Sequence, residues 1–246
     1  MNDHEANDAT VPTASPNWPT LSLVERRILG VLVEKAKTTP DSYPLTLNSL
    51  VTGCNQKNNR DPVLSLDDAS VENAMAPLKR LDYVQQISGS GRVDKFRHNL
   101  YMAWKVDKVE LAILGELLLR GAQSLGDLRG RASRMEPIPD LEQLRQQLSG
   151  LAQRGLIVYL TPEDRRGAMV THGFHPPEEL AQLKAQSYQG AIADSQRDSV
   201  SRSSATAPTG TAPITTLLEQ RVQSLEHRLA DLEKKIDQIS SMVLGG

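Results

Sequence analysis

Asn55-Gln-Lys-Asn-Asn-Arg60 sets amide donors and acceptors, one ammonium and one guanidinium in six consecutive positions. These groups grip phosphate oxygens and base edges, so Asn55, Gln56, Lys57, Asn59 and Arg60 are candidate contacts to nucleic acid or to a protein partner. The same string also reads as a structural turn, because asparagine tolerates positive φ and Asp61-Pro62 opens a new element. Lys57 and Arg60, which a purely structural turn does not need, tilt the reading toward contact. Arg92, Lys95, Arg97 and His98 follow a glycine-serine run, and Lys95 and Arg97, two apart on a strand, share a face. That suits tracking of a phosphate backbone and is equally ordinary on a solvated hairpin. Arg129, Arg131 and Arg134 crowd the end of an apolar segment, where cations also complement a helix C-terminus. Asp127, Glu136 and Asp140 stand near enough to neutralise them. Arg165-Arg166 come directly after Glu163-Asp164, which halves their field.

Covalent and metal chemistry find less support. His172 and His175 are three apart without an adjacent cysteine, a poor metal pair. Cys54 ends an expected helix beside Leu50 and Val51 and reads as core. There is no Gly-x-x-x-x-Gly-Lys to cradle a phosphate and no Gly-x-Ser-x-Gly. No catalytic, cofactor-binding or metal-binding constellation emerges, and the chain reads as a non-enzyme.

The elements that must position these residues come as a duplication. Glu25-Arg-Arg-Ile28-Leu29-Gly30 returns as Glu110-Leu-Ala-Ile113-Leu114-Gly115. A second echo sets Val71-Glu72-x-Ala74-x-x-x-Leu78-x-x-Leu81 against Leu141-Glu142-x-Leu144-x-x-x-Leu148-x-x-Leu151. Such self-similarity marks a tandem of one small unit. The first copy predicts helices over Leu23–Lys37, Leu45–Cys54 and Ser70–Leu81, then strands over Val84–Ile87 and Val93–Tyr101 around Ser88-Gly-Ser-Gly91. The second predicts helices over Val109–Arg120, Leu125–Ala132 and Asp140–Arg154, with Gly155 as a left-handed stop. Strands over Leu156–Leu160 and Ala168–Phe174 follow. Three helices and a two-stranded hairpin, twice over, imply a mainly α (α+β) chain of two tandem winged-helix domains.

Charge is unevenly spread over this plan. Lys+Arg against Asp+Glu is 12 to 9 over 20–105 and 9 to 9 over 106–176, so only the first repeat is basic, and modestly. The third helices, which would face a DNA groove, open with acids: Asp67-Asp68 and Glu72 in one, Asp140 and Glu142 in the other. They turn basic or amide-rich only at Lys79-Arg80 and at Gln143, Arg145, Gln146 and Gln147. This weakens reading of DNA bases and raises protein docking as the alternative.

Tyr43-Pro-Leu-Thr46, Cys54-Asn-Gln-Lys-Asn-Asn-Arg-Asp-Pro-Val63, Leu117-Leu-Leu-Arg-Gly-Ala-Gln123 and Arg131-Ala-Ser-Arg-Met135 resemble the YceH-like family of bacterial proteins, over roughly residues 20–176. The resemblance implies tandem winged helices in a bacterial cytoplasm. It carries over no catalytic residue and no ligand.

Beyond the repeats, Leu218, Val222, Leu225, Leu229, Leu232, Ile236, Ile239 and Val243 step by alternating fours and threes. With Leu218 at d, the a positions are mostly β-branched and the d positions mostly leucine, which favours a parallel two-stranded coiled coil. Arg221 then faces Glu226, and Arg228 faces Glu233, across the pair. The expected organisation is a disordered tail over 1–19, winged-helix domains over 20–105 and 106–176, a short helix over 177–185, a Ser/Thr/Ala-rich disordered linker over 186–213 and a coiled coil over 214–244. A single cysteine suits a reducing cytoplasm, and no run of ~18 apolar residues provides a membrane span. The partners expected are a second copy of the chain and either DNA or another protein.

Overall fold

The structure is a computed structural model describing residues 18–88 and 93–187. Two of its helices begin alike. Ser22 caps α1 (Leu23–Thr38) and Asp107 caps α5 (Lys108–Arg120). Each cap side chain accepts from the N–H of the third helical residue, and that residue, Glu25 or Glu110, accepts from the cap N–H in return. This reciprocal box satisfies two amides that the helix cannot, which is the physical reason a glutamate heads both copies of the echo.

The echo ends in a glycine for an equally local reason. A Cβ on Gly30 would meet Leu119 Cγ at 2.8 Å, and one on Gly115 would meet Val33 Cγ1 at 2.7 Å. The two glycines therefore let α1 and α5 lie directly against one another. Both helices are buried around their whole circumference, from Glu25 to Glu34 and from Leu111 to Leu119.

Around this spine each copy lays out the same elements. The first adds β1 (Leu45–Thr46), α2 (Leu47–Cys54), α3 (Asp68–Arg80), β2 (Val84–Ile87) and β3 (Lys95–His98), then α4 (Leu100–Trp104) as a bridge. The second adds β4 (Gln123–Ser124), α6 (Leu125–Ala132), α7 (Leu141–Gln153), β5 (Ile157–Tyr159) and β6 (Met169–His172). A further helix, α8, spans 177–187. The sheets are antiparallel with matching orders, β1-β3-β2 and β4-β6-β5. Leu45 pairs with Phe96, and Gln123 with Val170. The architecture is α+β.

Two local expectations change. Leu45 and Thr46 are strand rather than helix, and Gln123-Ser124 form its counterpart. These two-residue strands are too short to show a period of two, and their last residues, Thr46 and Ser124, also cap the helices that follow. The strand expected over Val93–Tyr101 spans only Lys95–His98, because Asn99 heads α4, its carbonyl accepting from the N–H groups of Met102 and Ala103. Gly155 does adopt φ 70, as a left-handed stop requires.

An aromatic column closes the body. Trp104 stacks on Phe174 at 4.8 Å, with Tyr83 and Trp18 edge-on at either side. Trp18 Nε1 donates to Arg154 O at 2.7 Å, so the described body begins before the first repeat proper. Residues 1–17, Arg92, the linker beyond Ser187 and the heptad segment lie outside the described residues. Among the described residues no helix is long and apolar enough to cross a membrane.

Candidate nucleic-acid interface and the junction behind it

The Asn55–Arg60 string begins at the end of α2 and runs toward the second repeat. Asn55 pairs its amide with the backbone of Leu66, donating to the carbonyl and accepting from the N–H, both at 2.7 Å. Arg60 turns inward. Its guanidinium makes a bidentate pair with Glu34 of α1, at 3.2 and 2.6 Å, and also donates to Gly53 O and Gln56 Oε1. Asn59 holds φ 60, and its Oδ1 accepts from Arg134 Nη1 at 3.1 Å and from Arg120 Nη2. Asp61 N–H caps the end of α5 at Leu119 O. Of the five candidates in the string, four are engaged in the protein's own structure. Lys57 is exposed and has no side-chain partner among the described residues.

The arginines of the second repeat meet the same junction. Arg134 reaches Asn59, and its Nη2 lies 3.8 Å from Glu116. Arg131 donates to Gln123 Oε1 at 2.7 Å, and Arg129 to the carbonyls of Ile138 and Pro139. Glu116 is 1% exposed. Desolvation raises its pKa, while Arg120, Arg134 and Arg131 pull it back down. Arg120 Nε stands 3.1 Å from Glu116 Oε1, an ion pair without hydrogen-bond alignment. Lys37 closes the edge on Glu136 at 2.9 Å. Two groups that the sequence separates by 75 positions are thus one polar clasp between the repeats. Arg27, fully buried, ties it to α1 through the carbonyls of Cys54 and Pro62. Burial, more than the nearby Arg60, lowers the Arg27 pKa. Cys54 is core, its thiol pushed up to about 12 by burial.

On the first repeat a strip of cations faces solvent. Lys79 and Arg80 close the exposed side of α3, and Lys95 and Arg97 stand on the outer face of β3. Arg97 lies over Gln85, which faces it across the sheet, and Lys79 reaches Gln86. Asp67, Asp68 and Glu72 occupy the opposite, leading half of α3. The structure thus separates the side chains the sequence grouped by type: the strip is solvent-exposed, whereas Arg129, Arg131 and Arg134 are bonded to groups of the junction and of their own repeat. His98, beside the strip, is half-buried; desolvation, helped by Lys37 and Arg97, brings its pKa down to about 4.

A second polar centre was not anticipated as a unit. His172 and His175 stack with ring centroids 3.9 Å apart. His175 Nδ1 lies 2.6 Å from Arg26 Nη1, and its Nε2 lies 2.8 Å from Thr171 Oγ1. Arg26 also forms a bidentate pair with Glu179 of α8. Burial, with Arg26 adding to it and Glu179 opposing, brings the His175 pKa down to about 4. The signal for this centre lay in the echo: Arg26-Arg27 of the first copy face Leu111-Ala112 of the second, two charges where the duplicate is apolar. Among the described residues, no group of His, Cys, Asp and Glu is arranged to hold a metal.

Residues 21–166, which hold the first repeat and the second as far as the loop before β6, match the family described as "Protein of unknown function, DUF480". A UPF0502 protein of Rhodopirellula baltica is 45% identical over 208 residues, 83% of this chain and 86% of its own length. Another, from Hahella chejuensis, is 37% identical over 231 residues, 91% of this chain and 98% of its own. Three of the four strings that resembled YceH-like proteins, those starting at Cys54, Leu117 and Arg131, are the ones that build the clasp. With more than half of the chain matched and near-complete relatives at this identity, the chain belongs to the UPF0502 (DUF480) family of bacterial proteins.

Proposed function

We propose that this chain is a non-enzymatic, tandem winged-helix protein of the bacterial cytoplasm that dimerises through its C-terminal heptads and holds a DNA backbone against its first repeat. The order helix, short strand, helix, helix, hairpin in each repeat supports the winged-helix reading. One observation carries the DNA reading: the first repeat leaves Lys79, Arg80, Lys95 and Arg97 exposed along α3 and its hairpin, while Arg129, Arg131 and Arg134 of the second are bonded to the protein's own groups. Four phosphate contacts give a salt slope of about −3.6, which describes weak, largely sequence-independent binding that two bodies on one dimer would strengthen. Electrophoretic mobility of the full-length chain on genomic fragments, at ~50 and ~200 mM salt, tests it. Replacing all four cations with alanine should flatten the slope by about three to four. Absence of a shift for the wild type at ~50 mM salt removes the DNA reading.

A protein-docking adaptor is the second reading. It is favoured by Asp67, Asp68 and Glu72, which would repel phosphate at the end of α3 that enters a groove. For either reading the dimer is tested by sedimentation. The full-length chain should be dimeric at tens of micromolar, roughly where four heptads pair, and Arg221→Glu with Arg228→Glu should shift it toward monomer by setting Glu against Glu.

A further inference from the structure

A cleft of about 260 Å³ opens where the start of α1, Pro62, the end of α5 and α8 meet. Its walls are apolar, from Leu23, Pro62, Leu118 and Leu183, and its polar end is Arg26. The Arg26 side chain is only 7% exposed, and its Nε is buried without a partner. A guanidinium only donates, so in the Arg26 contact His175 Nδ1 accepts and its Nε2–H donates to Thr171, with Glu179 Oε1 also 3.0 Å from Nδ1. The positive charge is thereby fixed on Arg26. It is met from outside by Glu179, whose two oxygens lie 2.9 and 3.0 Å from Nη1 and Nη2. Glu179 is 38% exposed, on a helix at the margin of the body whose side chains are mostly exposed. Fork-on-fork pairing is how a guanidinium receives a free carboxylate.

We propose that this cleft binds a small monocarboxylate with an apolar body, and that Glu179 holds the carboxylate position until the ligand displaces it. The volume lies just below the usual range of ligand clefts, about 300–1,000 Å³, so the ligand is small. The second cation at the cleft, Arg120, is already held by Asn59 and Glu116, and Asp61 adds a negative charge. That balance leaves no surplus for a dianion such as a phosphate ester. Displacing Glu179 releases the ion pair that ties α8 to Arg26, so occupancy of the cleft loosens α8 while Leu183 still lines it. None of this depends on what the first repeat binds.

Calorimetric titration of the full-length protein with benzoate, and with benzamide as its neutral isostere, tests the proposal. Glu179→Gln removes the competing carboxylate and should tighten benzoate binding about tenfold, while benzamide binds neither form. In the wild type, benzoate should speed amide hydrogen exchange across 180–187, a readout that needs no variant of the buried Arg26. Equal affinity of wild type and Glu179→Gln for benzoate, binding of benzamide as well as benzoate, unchanged exchange in α8, or no benzoate binding to Glu179→Gln at tens of millimolar would each overturn it.

Discussion

Asn59 Oδ1 accepts a hydrogen bond from Arg134 Nη1 at 3.1 Å, joining the loop after α2 to the end of α6 across 75 residues of sequence. The same oxygen accepts from Arg120, and the residue sits at φ 60, where most side chains are strained. Asn59→Gly keeps the backbone relaxed and removes only the acceptor. Its expected cost is about 1–3 kcal/mol, the penalty for leaving charged donors short of a partner. Asn59→Ala should cost about 1 kcal/mol more, from the left-handed backbone. Urea unfolding midpoints of the two variants separate the contributions; equal midpoints would show that backbone conformation adds nothing at this position.

Arg60 and Glu34 form a buried, bidentate pair with the Arg60 side chain at 0% exposure. Removing one partner strands the other charge, so Glu34→Gln should destabilise by about 3–5 kcal/mol. Replacing both, with Glu34→Leu and Arg60→Met, should cost less than the sum of the single changes. Thermal unfolding of Glu34→Leu, Arg60→Met and the double variant gives the coupling, and additive losses would mean that the pair is not coupled.

The glycine crossing of α1 and α5 gives a prediction of sign. In an exposed helix, glycine to alanine gains up to about 1 kcal/mol. At Gly30 and Gly115 the added methyl enters Leu119 or Val33, and overpacking costs about 1–3 kcal/mol. Gly30→Ala and Gly115→Ala should both lower the melting temperature. A rise in either would place the helices farther apart than described.

Acid should unfold the body through its histidines. His98 and His175 have pKa values near 4 in the fold, and His172 lies well below 6.5, burial being the leading cause for all three. The unfolded chain therefore takes up protons near pH 6.5 while the fold does not. The histidines' contribution is fully present above pH 6.5 and is lost as pH falls toward 4, on the order of 3 kcal/mol for a 2.5-unit shift. Glu116, raised by desolvation, acts in the opposite direction, but it is one group against three. Melting temperature measured from pH 7.5 to 4.5 should fall, and His98→Asn should flatten the fall; a flat wild-type profile would refute the assignment.

The parts legible in the sequence were those written in repeated, periodic signals. The echo at Glu25 and Glu110 located both spine helices, and the 3, 4, 3 spacing from Val71 to Leu81 located α3. β1 and β4 escaped because two residues carry no period. The clasp was half legible: side-chain type identified Asn59 and Arg134 as polar groups of interest, but not that they bond each other. A guanidinium looks the same in sequence whether it faces water or Glu34, so Arg60 read as a contact when it is a strut. The Arg26 centre needed both tertiary placement and the departure of one repeat from the other.

The crossing of α1 and α5 is close to self-complementary. Position 30 of the first copy rests on Leu119, and its duplicate, Gly115, rests on Val33. Each helix offers the other a notch and a knob, as the halves of a two-fold symmetric interface do. The spine therefore has the form of a homodimer seam whose subunits have been fused end to end. A single repeat cut from this chain would expose a notched apolar helix, and its natural cover would be another copy of itself.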